Sequence, residues 1–234
     1  MRKAGNTAAV LLAVATLLAG CFGLPPVYPG AIPGTYKVKQ GDTLYSISFR
    51  FGLDYKSMAR INGISPPYTI YVNQVLRLRG SARQPEKDWG PAVVRKQPKT
   101  SQPPRVKLPE KISDWRWPLE GKVIGEFSLA NPVNKGIDIA GRAGGAVVAA
   151  ADGVVVYAGG NLRGYGKLVI IKHSENFLSA YGNNQDMQVT EGQTVKAGRS
   201  IARVGTNAAD VDMLHFEIRR DGKPEDPRKY LPAR

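Results

Sequence analysis

Residues 80–113 decide what this chain can fold into. They hold six prolines and eleven charged side chains, with no apolar position recurring at a helical or strand spacing. Proline removes a backbone donor and charge resists burial, so such a stretch is an extended linker rather than a packed element. Fully extended, at about 3 Å per residue, it would reach on the order of 100 Å. A 234-residue chain has room for one or two domains, and this break divides it. The reading that follows is a signal segment 1–20, a tether 21–34, a small domain 35–80, a linker 81–113 and a larger domain 114–234, with the two domains free to search from one anchor.

Charge is distributed unevenly along this plan. Segment 36–79 has seven Lys/Arg against two Asp/Glu, and 80–113 has eight against three, whereas 114–234 has sixteen against fourteen. The basic middle suits an anionic surface such as an envelope polymer or lipid headgroups. No basic stripe is interleaved with aromatics, so nucleic acid is not expected as a partner.

The single cysteine, Cys21, excludes an internal disulfide. Arg2 and Lys3 precede the apolar run Ala8–Ala19, which ends Leu18-Ala19-Gly20-Cys21. A basic start, a short apolar run and small residues before a cut describe an export signal, too short to cross a bilayer comfortably. The ending resembles a bacterial lipobox, which implies lipidation of Cys21. Phe22 rather than Asp at the next position implies, by the same resemblance, an outer-membrane lipoprotein facing the periplasm. Several acyl chains would make that anchor durable.

In the small domain, Tyr36-Lys37-Val38 reads as a strand. Asp42 or Thr43 can cap a helix from Leu44 to Phe51, and Asp54 can cap a second running to Ile61. Val75–Leu78 reads as a closing strand, which gives a β-α-α-β order. The segments Tyr36–Leu44, Asn62-Gly63-Ile64 and Tyr71–Leu76 resemble a LysM domain over its whole length. That resemblance implies binding of peptidoglycan glycan strands in a groove between two loops, with Gly41, Asp42, Thr43 and Leu44 on one side and Gly63, Ile64 and Ile70 on the other. Asp42 and Thr43 serve equally well as helix caps, which would leave the sugar to the loop backbone.

From Trp115 to Leu231 the chain offers short apolar runs separated by glycines, at 146–150, 153–158, 167–173, 177–181 and 200–204. No long helical pattern interrupts them, so a mainly-β sandwich or barrel is expected, with Trp115 and Trp117 closing one end of its core.

Two stretches of this domain carry chemistry. One is Asn134-Lys135-Gly136-Ile137-Asp138; the other is Met213-Leu214-His215-Phe216-Glu217. They resemble the zinc motifs of the lysostaphin/LytM-type peptidoglycan endopeptidases, which carry His-x-x-x-Asp and His-x-His. A hydrolytic zinc needs about three protein ligands and an open position for water. By resemblance the ligand positions are Asn134, Asp138 and His215, and the neutral amide of Asn134 is a poor zinc donor. The positions implied for the two catalytic imidazoles are Met213 and, in Ser179-Ala180-Tyr181-Gly182, Gly182. Neither can relay a proton or stabilise an oxyanion. The remaining histidine, His173, reads as a surface or turn residue. No metal and no cofactor are expected, and Asp138 and His215 are expected to pair as remnants.

The motif 161–166, the ending 226–232 and the order lipobox, LysM, linker, LytM together resemble the NlpD-type lipoproteins. This implies a non-catalytic activator of a periplasmic N-acetylmuramoyl-L-alanine amidase, acting in septal wall splitting and daughter-cell separation. The cleft expected to take the partner is lined by Asn134, Asp138, Tyr181, Gly182, Met213 and His215. The alternatives are a weak zinc-dependent peptidoglycan endopeptidase using Asp138, His215 and a third ligand, and a passive tether between outer membrane and wall. The stretch Glu191–Gly198 resembles lipoyl hairpins, but no lysine sits at a matching tip.

Overall fold

A computed structural model describes residues 32–80, 108, 112 and 114–234. The expected export signal, Cys21, most of the tether and most of the linker lie outside them.

The small domain runs β1 (Thr35–Lys37), α1 (Leu44–Phe51), α2 (Tyr55–Ile61) and β2 (Val75–Arg77). Its strands pair antiparallel, Tyr36 opposite Leu76. Helix α1 begins where Thr43 and Ser46 exchange side-chain and backbone hydrogen bonds in a capping box. It ends at Gly52, whose φ of 65° lies in the left-handed region open to glycine. Asp54 caps α2 by accepting from the Lys56 and Ser57 amides. Val38, Leu44, Ile47, Met58, Leu76 and Leu78 make the core between helices and strands.

In the large domain ten strands are hydrogen-bonded into one antiparallel sheet. They are β3 (Val123–Gly125), β4 (Ile137–Ala140), β5 (Ala146–Val148), β6 (Gly153–Gly159), β7 (Lys167–Lys172), β8 (Phe177–Met187), β9 (Thr194–Val195), β10 (Ser200–Thr206), β11 (Asp212–Arg220) and β12 (Lys223–Glu225). The mainly-β expectation holds, and register shifts at several pairings bend the continuous sheet.

Strand β11 organises the site because β4 and β8 both pair with it. His215 lies opposite Asp138 on one side and Gly182 on the other. Alternation along β11 sends Leu214, Phe216 and Ile218 into the main core with Ile137, Ile139, Val169, Ile171 and Tyr181. Met213, His215, Glu217 and Arg219 therefore share the opposite face, beside Gly182, Ala180 and Leu178 of β8. Gly136, just before β4, has no alternative residue: a Cβ there would lie 2.1 Å from the Phe216 carbonyl oxygen.

The two domains are not independent in this structure. Tyr157, Leu162, Leu168, Ile170, Leu178 and Ala180 form a second apolar cluster on the face that carries His215, and Phe49 of α1 completes it. Phe49 is only 2% exposed. The expectation of two freely searching domains is thereby corrected. The reason lies in α1, where Leu44 and Ile47 fill the small domain's own core while Tyr45 and Phe49, four residues apart, form a second apolar stripe.

Candidate functional site

The motif positions converge. His215 Nδ1 lies 2.7 Å from an Asp138 carboxylate oxygen, and its Nε2 lies 3.1 Å from Glu217. The Asn134 amide donates to the other Asp138 oxygen at 2.9 Å and accepts the Gly136 N–H at 3.2 Å. Met213 is 5% exposed, and its sulfur accepts a hydrogen bond from the Asn207 amide. Gly182 adds no side chain; a Cβ there would lie 3.6 Å from that of His215.

Two residues that sequence reasoning left out complete the arrangement. Glu217, fully buried, accepts from Arg219 Nε at 2.7 Å and from the Tyr165 hydroxyl at 2.8 Å. Arg219, 1% exposed, donates onward to the Phe49 carbonyl at 2.6 Å and stacks 3.4 Å from the centre of the Phe49 ring. A chain of charged contacts thus runs Asp138, His215, Glu217, Arg219 and ends on α1. Period-two alternation from His215 is the signal that would have found both.

The charges balance. Burial opposes the imidazolium of His215, but hydrogen bonds to Asp138 and Glu217 outweigh it and raise its pKa to about 9. Burial likewise opposes ionisation of Glu217, yet Arg219 and His215 hold its pKa down at about 2. Two carboxylates therefore face two cations, as buried charge requires.

This donor set does not fit a hydrolytic zinc. Both His215 ring nitrogens are taken by carboxylates, Asn134 turns an N–H rather than an oxygen toward Asp138, and Met213 and Gly182 bring no imidazole. Among the described residues no group of three or more His, Cys, Asp or Glu is arranged to hold a metal ion.

Two expectations are corrected. Tyr181 does not line the cleft: it is fully buried on the core face, and its hydroxyl takes the Ala150 N–H at 2.8 Å. Its position in β8, one residue before Gly182, puts it on the other side of the sheet. His173 is no surface residue. It is wholly buried, with Nδ1 2.8 Å from the Asp152 carbonyl, Nε2 2.6 Å from Ser179 Oγ and its ring against Trp115. Burial lowers its pKa to about 4, so it is neutral at pH 7.

Around the cleft, loops carry exposed apolar side chains. Leu129 (62% exposed) and Val133 lead into Asn134, and Val211 precedes Met213. Single exposed apolar residues are ordinary, but these three flank the chain positions Asn134 and Met213.

In the small domain, Gly41 and Gly63 are exposed with positive φ. Asp42 is held by the Tyr36 hydroxyl at 2.8 Å, the Lys39 amide and Arg50. Thr43 is the cap of α1. Leu44, expected at the glycan, is 1% exposed and its side chain serves the core; Ile64 and Ile70 pack against that core from outside.

Comparison with known proteins gives this geometry a family context. Residues 132–227 match peptidase family M23, a span that contains every cleft position above, and residues 36–79 match the LysM domain. A Pseudomonas aeruginosa protein described as a lipoprotein NlpD/LppB homolog is 44% identical, with the match covering 94% of this chain and 90% of the relative. A lipoprotein of Escherichia coli (strain K12) described as YgeR is 45% identical, covering 95% and 91%. The murein hydrolase activator NlpD of the same organism is 37% identical, covering 86% of this chain and 68% of that protein.

Proposed function

Because the chain belongs to the NlpD lipoprotein family, with a LysM domain followed by an M23-type domain, we propose that it is an envelope lipoprotein that binds peptidoglycan and activates a murein hydrolase rather than cutting the wall itself. The partner is a periplasmic N-acetylmuramoyl-L-alanine amidase, and the process is septal wall splitting and daughter-cell separation. One observation carries the non-catalytic part of this reading. The cleft keeps Asp138 and His215, but His215 is clamped between two carboxylates, and Asn134, Gly182 and Met213 stand where a ligand and two imidazoles would be needed.

The division of labour follows from the chemistry. The LysM loops, Gly41–Leu44 and Gly63–Ile70, offer backbone and small polar groups to N-acetylated sugars. The M23-type cleft, floored by Asn134, Asp138, Gly182, Met213 and His215 and rimmed by Leu129, Val133 and Val211, suits an amphipathic segment of the amidase. Lipidation at Cys21 would hold the chain at the outer membrane, facing the periplasm.

The test mixes the purified chain with periplasmic amidases and dye-labelled sacculi. Dye release above that of amidase alone is expected, with none from this chain alone. No gain with any of the cell's amidases would overturn the activator reading. Stoichiometric zinc together with cleavage of crosslinked peptides would replace it with an endopeptidase.

A further inference from the structure

The glycan groove read from the small domain faces the large domain. Asn161, in the turn after β6, donates to the Gln40 carbonyl, and a Cβ on Gly41 would lie 2.4 Å from its amide nitrogen. Thr43 Oγ1 donates to the Val156 carbonyl at 3.2 Å. One wall of the groove is thus engaged at Gln40 and Thr43, while Gly41 between them stays exposed. Its floor is engaged as well. Tyr45 stands 6.0 Å, centre to centre, from Tyr68 of the opposite loop, and Tyr45 packs on the apolar cluster of the large domain. Tyr55 stacks between them, and its hydroxyl contacts Glu175 in the turn before β8. The far wall, Gly63–Ile70, stays largely open, with Ser65, Pro66, Pro67 and Thr69 exposed.

We propose that the large domain closes the LysM groove, so that a glycan strand and the sheet of the M23-type domain compete for one face of the small domain. This rests on the glycan-binding reading given above. A sugar polymer lying between the two loops would meet the Gln40 carbonyl, the Thr43 hydroxyl and the Tyr45 ring, and these three groups are engaged by the large domain. Admitting the strand requires α1 to leave the sheet. That movement withdraws the Phe49 ring and carbonyl from Arg219 and bares Leu168, Ile170 and Leu178, which continue the face carrying His215. Without glycan the closed form dominates, because opening exposes this apolar cluster to water and removes the carbonyl acceptor of a buried guanidinium. On the wall, glycan binding offsets that cost, and the sheet face becomes larger and more apolar. Affinity measured on the closed chain is reduced in proportion to the fraction that is open.

The test uses the full chain in detergent and a hexamer of N-acetylglucosamine as the probe, titrated by calorimetry. Two variants weaken the domain contact from opposite sides. Gly222→Asn keeps a residue that tolerates the local φ of 79°, but its Cβ would lie 2.3 Å from the Leu53 carbonyl oxygen. Phe49→Asp removes the ring seated on Arg219. Each is expected to bind the oligomer roughly three- to tenfold more tightly than the unaltered chain. Saturating oligomer should also speed hydroxyl-radical oxidation of Phe49 in the unaltered chain. If Phe49→Asp fails to fold, Gly222→Asn, which leaves the LysM sequence intact, decides alone. Equal or weaker binding by the folded variants overturns the competition while leaving glycan binding in place. No binding by any form overturns the glycan reading itself, and the competition with it.

Discussion

The chain's only two histidines make a controlled comparison. Both are packed into the same sheet, one toward each face, yet their surroundings push their pKa values in opposite directions. His173 meets a carbonyl, a hydroxyl and a tryptophan ring, and burial drives its pKa down to about 4. His215 is also disfavoured as a cation by burial, but two carboxylates reverse the sign and carry it up to about 9. Burial therefore does not set the charge of a histidine; the chemistry of its partners does. In the M23-type domain the Asp138 and Glu217 carboxylates are met by an imidazolium and a guanidinium.

The severest way to break this comparison is to remove the second cation. Arg219→Met keeps the apolar stem but leaves Glu217 buried with one cationic partner fewer. A loss of about 3–5 kcal/mol in urea unfolding is expected, the scale for breaking a buried ion pair from one side. The His215 titration should move upward, since Glu217 would lean on it alone, and His173 should not respond. A loss below about 1 kcal/mol, typical of an exposed pair, would show that the charged row is not a buried network.

Acid comes next. The folded pKa of His173 is below the unfolded value, so the folded state binds fewer protons, and its contribution is fully present above pH 6.5 and lost as pH falls toward 4. The shift corresponds to about 3 kcal/mol at most. Unfolding free energies measured across pH 4–7 should fall with acid, and His173→Gln should flatten that limb. Alkali acts on the other site with the opposite sign. The folded pKa of His215 is above the unfolded value, so its contribution is fully present below about pH 6.5 and lost as pH rises through about 9. The alkaline limb should be shallower than the acid one, because the His215 side chain is 16% exposed and water screens its partners. A chain whose stability is flat from pH 6.5 to 9 would refute the imidazolium.

Much of this was legible in the sequence, and the gaps have physical causes. Both LysM helices begin at the capping residues expected of them, Thr43 and Asp54, because caps are local chemistry. The positions Asn134, Asp138, Gly182 and His215 lie together because the register of β4 and β8 against β11 sets Asp138 and Gly182 opposite His215. Tyr181 was placed on the cleft face although it neighbours Gly182, an error that period-two counting corrects. Sequence alone makes His173 a surface or turn residue, because its polar partners, the Asp152 carbonyl and Ser179, are brought to it only by the fold. Docking of α1 was missed for a related reason. Its evidence is the second stripe, Tyr45 and Phe49, which looks like ordinary helix composition until the face of β7 and β8 is seen to be apolar too.

The smallest expected effect isolates the cleft most cleanly. Asn134→Ala deletes two hydrogen bonds, one donated to Asp138 and one accepted from the Gly136 N–H, and creates no unpaired charge, since Asp138 keeps His215. The cost should be about 1–2 kcal/mol, the net worth of two hydrogen bonds, one of them long. Losing that donor leaves the Asp138 carboxylate more electron-rich, so it should hold the imidazolium more firmly and raise the His215 midpoint. With two histidines in the chain, ring nitrogen and carbon shifts report each site without ambiguity across a pH series. At pH 7 one ring should read as doubly protonated and the other as neutral with its proton on Nδ1, the nitrogen facing the Asp152 carbonyl. A downward shift of His215 in the variant would mean that Asn134 acts by holding Asp138 in place against the imidazolium.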